Sequence, residues 1–354
     1  MVSIVAMSGG VDSSVAAALL AGERGRDAIC GISLRLYPAK VDAERSGRSC
    51  CAPDDLYDAR RAAAALGIRF YVYDAQDRFR SEVIDDFVSA YARGETPNPC
   101  VRCNDHVKFD WLLDRARLVG ADCLATGHYA RIARADDGSL RLRRARDAAK
   151  DQSYFLHGLT QEELGALRFP LGELTKPEVR AIARARGLPN ADKPESMEVC
   201  FVGGQSVGDF LEQHGVEPAR GEIVDLAGRV IGEHDGVHRF TVGQRRGLRV
   251  AHKLPLYVAA LDAERQQVVV GEREEVARGE FIARQATWVV EPPIAGDACE
   301  VQIRHRGRPL AARVQPERDG SVRVLLDAPA VGVAPGQAAV FYRADEVLGG
   351  ARIA

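Results

Sequence analysis

The 354-residue sequence has no uninterrupted apolar run long enough to cross a bilayer, so no membrane-spanning helix is expected. It also lacks the ordered basic region, apolar segment and cleavage site of a secretion signal. A cytoplasmic location is the expectation that follows. Neither sign of charge dominates. The formal net charge of −2 argues neither for nor against a nucleic-acid partner, because local basic patches rather than totals bind RNA. The eight cysteines, without a secretion signal, do not read as a disulfide framework; reduced, metal-bound or catalytic thiols are expected instead. Two common glycine loops are absent, the lysine-ended Walker loop and G-x-G-x-x-G. With 46% hydrophobic and 28% charged residues, what remains is a soluble, globular chain long enough for two or three domains.

A different glycine loop is present. Residues 2–7 read as a buried strand and residues 15–20 as a helix, and Ser8-Gly9-Gly10-Val11-Asp12-Ser13-Ser14 lies between them. Glycines permit positive φ and close backbone approach to an anion. The helix start that follows offers unpaired N–H groups and a positive dipole end. Ser13 and Ser14 add hydroxyl donors, and Asp12 is a candidate to hold Mg²⁺ through water. Such a turn is often only a turn. The full string Ser-Gly-Gly-x-Asp-Ser after an N-terminal strand is more specific, and it resembles the pyrophosphate loop of ATP pyrophosphatases.

Strand and helix alternate up to about Thr126. Residues 28–36, 69–73 and 123–126 are predicted strands; residues 54–66, 79–92 and 107–119 are predicted helices. The fold class is therefore α/β with a doubly wound parallel sheet. Ligands in such sheets bind beyond the carboxyl ends of the strands. That rule places the glycine loop, the strand end near Leu34 and Gly127-His128 on one rim. Leu34 reads as core or as a surface for adenine.

Residues 94–104 read as a proline-stiffened loop carrying Cys100 and Cys103 at C-x-x-C spacing. Three readings stay open. A structural zinc site needs further ligands, and no second C-x-x-C occurs. A redox pair usually opens a helix after a strand. A nucleophilic cysteine suits a rigid loop beside a nucleotide, with Arg102, Lys108 or the next helix start lowering its pKa. Cys30, Cys123 and Cys299 read as buried and inert, and Cys50-Cys51 is given no role. Residues 199–202 read as a short strand holding Cys200. Arg141, Arg143, Arg144 and Arg146 form either a solvated face or a phosphate-contacting surface, with Arg146 and Asp147 pairing with each other or water.

Residues 177–186 are an amphipathic helix, after which the alternation stops near residues 204–208. Residues 207–214 form a short helix, and short strands (221–224, 229–232, 256–261, 267–270) surround a basic loop at 241–248. From Gly279, strand-length runs at 286–290, 298–304, 311–314, 322–326 and 338–342 favour a small β-barrel or sandwich. Arg304-His305-Arg306 and Arg308 form a basic patch there, with His305 read as a surface residue rather than a metal ligand.

With these residues laid out, the chain resembles the tRNA 2-thiouridylase family over essentially its full length. The resemblance rests on residues 8–14, 96–104, 125–129, 150–156, 198–202, 241–248 and 335–342, in family order. It implies an ATP-pyrophosphatase domain over 1–204 (adenine nucleotide α-hydrolase-like), a small central domain over 205–278 and a C-terminal β-barrel over 279–354. These parts together clamp a tRNA anticodon stem-loop. It implies that Ala6, Met7, Ser8, Gly9, Gly10, Val11, Asp12, Ser13, Leu34 and Gly127 bind ATP, with Mg²⁺ on the phosphates. Asn98, Pro99 and Cys100 face a flipped-out base, and His128, Lys150, Asp151, Gln152, Arg304, His305 and Gln337 contact tRNA. The resemblance also implies that Cys103 is the catalytic cysteine and Cys200 the persulfide carrier; either the persulfide attacks the uridine C2 directly, or Cys103 attacks the inner sulfur on Cys200 and the two close a disulfide, with AMP leaving in both cases. A sulfur-donor protein, either a persulfide carrier or a cysteine desulfurase, is the implied second partner.

Cys100 stands where some members have an aspartate proposed as a proton shuttle. That substitution leaves open an iron–sulfur cluster on Cys100, Cys103 and Cys200; no other metal is assigned. Three rival functions differ in what they need. A ligase that adenylates a carboxylate or purine oxygen needs no cysteine pair. An iron–sulfur tRNA-binding protein needs a cluster, and a non-catalytic RNA-binding module needs no pyrophosphate loop.

Overall fold

The computed structural model describes residues 2–37, 53–195 and 199–354. Cys50 and Cys51 lie outside the described residues. The chain divides into two compact units. The first holds Met1–Val83, Cys100–Gly204 and Asp345–Val347; the second holds Ile84–Pro99, Gln205–Ala344 and Leu348–Ala354.

Strands β1 (Val2–Ala6), β2 (Ile29–Arg35) and β3 (Arg69–Asp74) are linked through helices α1 (Val11–Arg24) and α2 (Pro53–Leu66). Then come α3 (Gln76–Phe79), a π-helical segment Arg80–Ile84 and α4 (Asp85–Ala92). They are followed by α5 (Pro99–Cys103), a second π-helical segment Asn104–Leu112 and α6 (Leu113–Leu118). Strand β4 (Ala121–Thr126), the hairpin β5–β6 (Ala130–Arg134, Leu140–Arg144), α7 (Gln161–Ala166), β7 (Leu167–Arg168) and α8 (Lys176–Ala185) follow; of all these elements α4 belongs to the second unit, as do the end residues Ile84 and Pro99 of its neighbours, and the rest to the first. The sheet order is β3-β2-β1-β4-β7, parallel throughout. β1 and most of β2 are buried, as the nearly continuous apolar runs require when helices cover both faces. Alanines at 16, 17, 18, 59, 62 and 63, all fully buried, let α1 and α2 lie close to the sheet.

Topology positions the site. The chain leaves β1 for β2 on one side and later returns to β4 on the other, so the switch point lies at their carboxyl ends. Register pairs Ala6 with Thr126, which sets the Ser8–Gly10 loop beside Gly127.

In the second unit, α9 (Val207–Gln213) precedes β8 (Gly221–Asp225), β9 (Val230–His234), β10 (Leu256–Asp262) and β11 (Gln267–Glu272). These strands form a sheet of order β10-β11-β8-β9. After a short helix α10 (Arg273–Val276), six antiparallel strands follow: β12 (Arg278–Trp288), β13 (Ala298–Gln302), β14 (Leu310–Pro316), β15 (Val322–Ala330), β16 (Ala338–Arg343) and β17 (Glu346–Ile353). Their order is β12-β15-β14-β13-β16-β17, and β12 pairs with β17 to close a barrel.

Four expectations need correction. Residues 99–104 are helical, because Pro99 at the first helical position loses no hydrogen bond and no further breaker follows before Gly120. Cys100 and Cys103 therefore sit on a helix rather than on a loop. Residues 199–202 form a turn, closed by the Val202 N–H to the Val199 carbonyl, and Gly203 and Gly204 follow at positive φ. Of the strand expected at 286–290, residues 286–288 are the end of a longer one starting at Arg278, and residues 289–290 lie beyond it. Strand β17 went unread because its Gly349-Gly350 pair weakens a strand pattern. A Cβ on Gly349 would lie 2.7 Å from the Trp288 ring, which stacks on Phe341 with centroids 5.4 Å apart. The glycine makes room for that stack.

Candidate active site

The pyrophosphate-type loop is held from behind. Gly9 has φ +79°, and a Cβ there would run into the backbone carbonyl of Asp55. The Asn190 side-chain amide donates to the Gly9 carbonyl (3.0 Å) and to Ser14 Oγ (2.9 Å). Lys193 reaches the same carbonyl at 3.4 Å and is tied to Asp58 (2.6 Å) and Asp55. Ser13 Oγ and Ser14 Oγ each donate to the Gly10 carbonyl (3.1 Å), and the Ser8 N–H donates to Ser13 Oγ (3.1 Å). The loop's carbonyls are thus turned inward. Gly10 caps α1 without a side chain, so first-turn N–H groups remain for an anion. Ala6, Gly10, Asp12, Leu34 and Gly127 are half-buried and Ser8 is exposed, whereas Met7, Gly9, Val11 and Ser13 are buried. A Cβ on Gly127 would lie 2.6 Å from Ser13 N, so only glycine lets β4's exit pass the start of α1.

A chain of charges flanks this cradle. Lys176 Nζ lies 2.7 Å from both Asp12 carboxylate oxygens and 2.8 Å from Glu195, which also pairs with Lys150 at 2.5 Å. Burial raises the Glu195 pKa, but the two ammonium groups outweigh it and bring it down to about 2. Tyr129 donates its hydroxyl to Asp12 (2.8 Å); burial and the Asp12 charge push its pKa up, so it keeps the proton. Sequence reasoning missed Lys176, Glu195, Asn190 and Lys193 as members of this site. The nearest of them in sequence, Lys176, is 164 residues away from the Asp12 it meets, so no local pattern marks them.

The thiol-bearing segments fasten to one helical turn. Phe201, beside Cys200, packs edge-on against Phe79 (5.7 Å), and Tyr37 donates to the Cys200 carbonyl (3.4 Å). Arg102, beside Cys103, donates to the Glu82 carbonyl (3.2 Å), and Arg78 donates to the His106 carbonyl (3.3 Å). Cys100 is exposed, Cys103 buried and Cys200 half-buried, all three as thiols. Cys103 is the last residue of α5 and leads straight into the π-helical segment that starts at Asn104. Arg102 and Lys108, named from sequence as candidate cations, are engaged with Glu82 and with Asn104 Oδ1. Burial pushes the Cys30 and Cys123 thiols up, and Cys299 up to about 11, which keeps them inert; Cys299 is only half-buried, contrary to its reading as core. Among the described residues no three His, Cys, Asp or Glu side chains gather as a metal-ligand set.

The residues expected to touch RNA divide in two. Lys150 is half-buried on Glu195. Asp151, its side chain 8% exposed, is spent on Arg144 (3.0 Å), Ser153 and the Ala145 N–H. Gln152 brackets Tyr129 by accepting its N–H (2.9 Å) and donating its own to the Tyr129 carbonyl. His128 bonds Thr126 Oγ1 (2.7 Å) and packs on Phe109 and Phe169; burial holds its pKa well below the usual value. In the second unit, Gln337 donates to the Thr96 carbonyl (2.8 Å), and Thr96 donates to Pro335 (2.7 Å). Gln337 thus braces the loop that carries Asn98 and Pro99. Arg304 is exposed and His305 half-buried, with both backbone carbonyls accepting from Gln302.

The arginine cluster is neutralised within the fold. Arg131 pairs with Asp345 (2.7 Å), Arg141 with Asp137 and Glu346, Arg144 with Asp151, and Arg146 with Glu178 (3.4 Å). Asp147 accepts the Lys176 N–H instead of pairing with Arg146, which corrects that expectation.

One half-buried acid near Cys103 bears on stability. Asp105 lies against Gly158, where a Cβ would come within 2.8 Å of its carboxyl, and burial raises its pKa to about 7, with Glu163 adding to the shift. The folded state therefore holds a proton that the unfolded state releases near pH 4. Stability falls as pH rises from about 4 to 7, by at most about 4 kcal/mol. Asp105→Asn is expected to raise the melting midpoint at pH 8 and leave it nearly unchanged at pH 4, as a thermal scan at both values reads.

Residues 1–204 match the family model described as the tRNA methyl transferase HUP domain, 208–272 the tRNA methyl transferase PRC-barrel domain and 278–353 the aminomethyltransferase beta-barrel domain. The tRNA-specific 2-thiouridylase MnmA of Geobacter metallireducens is 51% identical over 98% of this chain and 95% of its own length. That of Chloroflexus aurantiacus is 50% identical over 99% and 98%. The chain belongs to the tRNA-specific 2-thiouridylase family. The domain models carry the word methyl transferase in their descriptions, whereas these near full-length 2-thiouridylase relatives are named for thiolation. As for membranes, among the described residues no helix is long and apolar enough to cross one.

Proposed function

We propose that this chain is an ATP-dependent sulfurtransferase that thiolates C2 of the wobble uridine in tRNA. Its membership of the 2-thiouridylase family supports tRNA uridine thiolation as the activity. The observation that carries the finer reading is local. The segments bearing Cys103 and Cys200, far apart in sequence, both attach to the turn formed by Arg78, Phe79 and Glu82. In the same unit, the cradle of Ser8–Ser13 and Gly127 lies at the sheet's switch point.

ATP is consumed as a substrate. The uracil C2 oxygen, a poor leaving group, attacks the α-phosphate and pyrophosphate departs, its charge met by the α1 amides. Asp12 would hold Mg²⁺, since that ion takes one or two carboxylates beside the phosphates, and it supplies charge neutralisation there. Cys200 receives sulfur as a persulfide from a donor protein. The Cys103 thiolate attacks the sulfur bonded to Cys200 Cβ, the S–S bond breaks and hydrosulfide leaves. Hydrosulfide adds to C2 and AMP departs. A thiol reductant then reopens the Cys103–Cys200 disulfide. In the alternative the outer persulfide sulfur attacks C2, AMP departs, and the Cys103 thiolate then attacks Cys200 Sγ and breaks the S–S bond, leaving the same thiouridine and the same disulfide.

Asn98, Pro99, Cys100 and His128 form the base-facing side of this reading, and Lys150, Arg304 and His305 the RNA backbone contacts. The three-part division at 204/205 and 278/279 belongs to the same proposal. Its direct test is tRNA-dependent AMP release. One AMP per 2-thiouridine, absent without tRNA, is expected. AMP release indifferent to tRNA would favour a ligase acting on another oxygen.

A further inference from the structure

The phosphate loop contains no lysine, and the chain has few of them: Lys40, Lys108, Lys150, Lys176, Lys193 and Lys253. The fold nevertheless brings an ammonium group onto the loop from 164 residues away. Lys176 opens α8, with Thr175 as the cap, Pro177 next in line and its own N–H donated to Asp147 (2.9 Å). The backbone there is fixed, so only the side chain has freedom to turn.

Its side chain is 9% exposed and is shared between Asp12 and Glu195. Asp12 is the second residue of α1, whose first-turn N–H groups line the cradle. Both carboxylates have a second partner already in place. Asp12 also accepts from Tyr129, and Glu195 also pairs with Lys150. Should the ammonium turn from Asp12, neither carboxylate is left bare in a poorly solvated site, where an unpaired charge is costly. Lys193 is the contrast. It is tied to Asp55, Asp58 and the Gly9 carbonyl on the rear of the loop.

We propose that Lys176 is the phosphate-binding cation of the nucleotide site, held on Asp12 until an anion enters the cradle and then turned to the polyphosphate. There it meets the charge that collects on pyrophosphate as the α-phosphate passes to the base. The proposal rests on the reading of the cradle as an ATP site and adds a catalytic residue to it. A lysine in this position does for the loop what a Walker lysine does within its own motif, but from a different helix.

The test uses the full chain and an ATP analogue acylated on its γ-phosphate. A lysine within reach of the phosphates attacks the acyl carbon, an amide forms, ATP leaves and the amine proton goes to water. Peptide mass mapping then reads which of the six lysines carries the acyl group. Acylation at Lys176, suppressed at least about tenfold by excess ATP, is expected. Acylation of Lys150 or Lys193 with Lys176 untouched overturns the proposal. If no lysine is labelled although calorimetry shows ATP binding, the proposal falls and the nucleotide site stands; if ATP does not bind at all, both fall. In parallel, Lys176→Met is expected to lower kcat for tRNA-dependent pyrophosphate release about 100-fold, and Lys176→Arg to recover part of it. A folded Lys176→Met enzyme with unchanged kcat would contradict the assignment whatever its KM for ATP.

Discussion

Cys200→Ser is expected to abolish tRNA thiolation, a loss of at least about 10³-fold, while a single tRNA-dependent burst of pyrophosphate persists. A serine oxygen cannot carry the S–S bond on which sulfur arrives, yet it leaves the nucleotide cradle intact. Cys103→Ser is expected to lose thiolation to a similar degree with the persulfide still loading on Cys200, because the step it removes comes after loading. Reading persulfide occupancy by mass spectrometry separates the two variants. A carboxylate or purine ligase on this fold would be indifferent to both substitutions. Cys30→Ser and Cys123→Ser serve as controls, since burial raises both thiols and keeps them out of reaction.

Gly127→Ala is expected to cost about 100-fold or more in ATP-dependent pyrophosphate release without unfolding the protein. The added Cβ would lie 2.6 Å from Ser13 N and 2.8 Å from the Asp12 carbonyl carbon, both backbone atoms of α1's first turn. Backbone has no rotamer with which to yield, so the helix start must shift by a sizeable fraction of an ångström. Misplacement of that order costs about 10²-fold where rate depends on aligned groups. Gly165→Ala is the matching control. Its Cβ meets only Leu140 Cδ1 at 3.9 Å, inside α7, so it should leave turnover unchanged and add up to about 1 kcal/mol of stability. Titration of ATP binding and of pyrophosphate release across the three proteins reads the difference.

Much of the site was legible because its chemistry sits in contiguous strings. Ser8–Ser14 follows a strand and opens a helix, and both features follow from local apolar runs and glycines. Leu34 and Gly127 came from the rule that ligands gather at strand ends, and the sheet order puts both on that rim. Where reading failed, the deciding contact was distant or the local cue cut both ways. Two prolines near Cys100 suggested a loop, but Pro99 begins a helix. Arginines 141–146 read equally as a solvated face or a surface for phosphate; their counter-charges come from Asp345, Glu346, Asp151 and Glu178, the first two just over 200 residues on. The bond from the Gln337 amide to the Thr96 carbonyl, 241 residues away, has no local cue either, and it leaves the expected RNA contact of Gln337 as it stood. Lys176 could not be seen at all, since nothing in Thr175-Lys176-Pro177 beyond a helix start reveals which carboxylate it meets.

The central claim is that Cys103 and Cys200 act on one activated base. Its most direct measurement is a single turnover with Cys200 loaded as the persulfide, tRNA and ATP added, and no reductant present. One 2-thiouridine, one AMP and one Cys103–Cys200 disulfide per chain, read by mass spectrometry of the RNA and of the peptides, are expected. Thiouridine formed by the wild-type chain with Cys103 still a thiol and the oxidising equivalent found in a disulfide from Cys200 to another cysteine would contradict the disulfide route. Adenylated tRNA accumulating beside an unspent persulfide would contradict the claim itself.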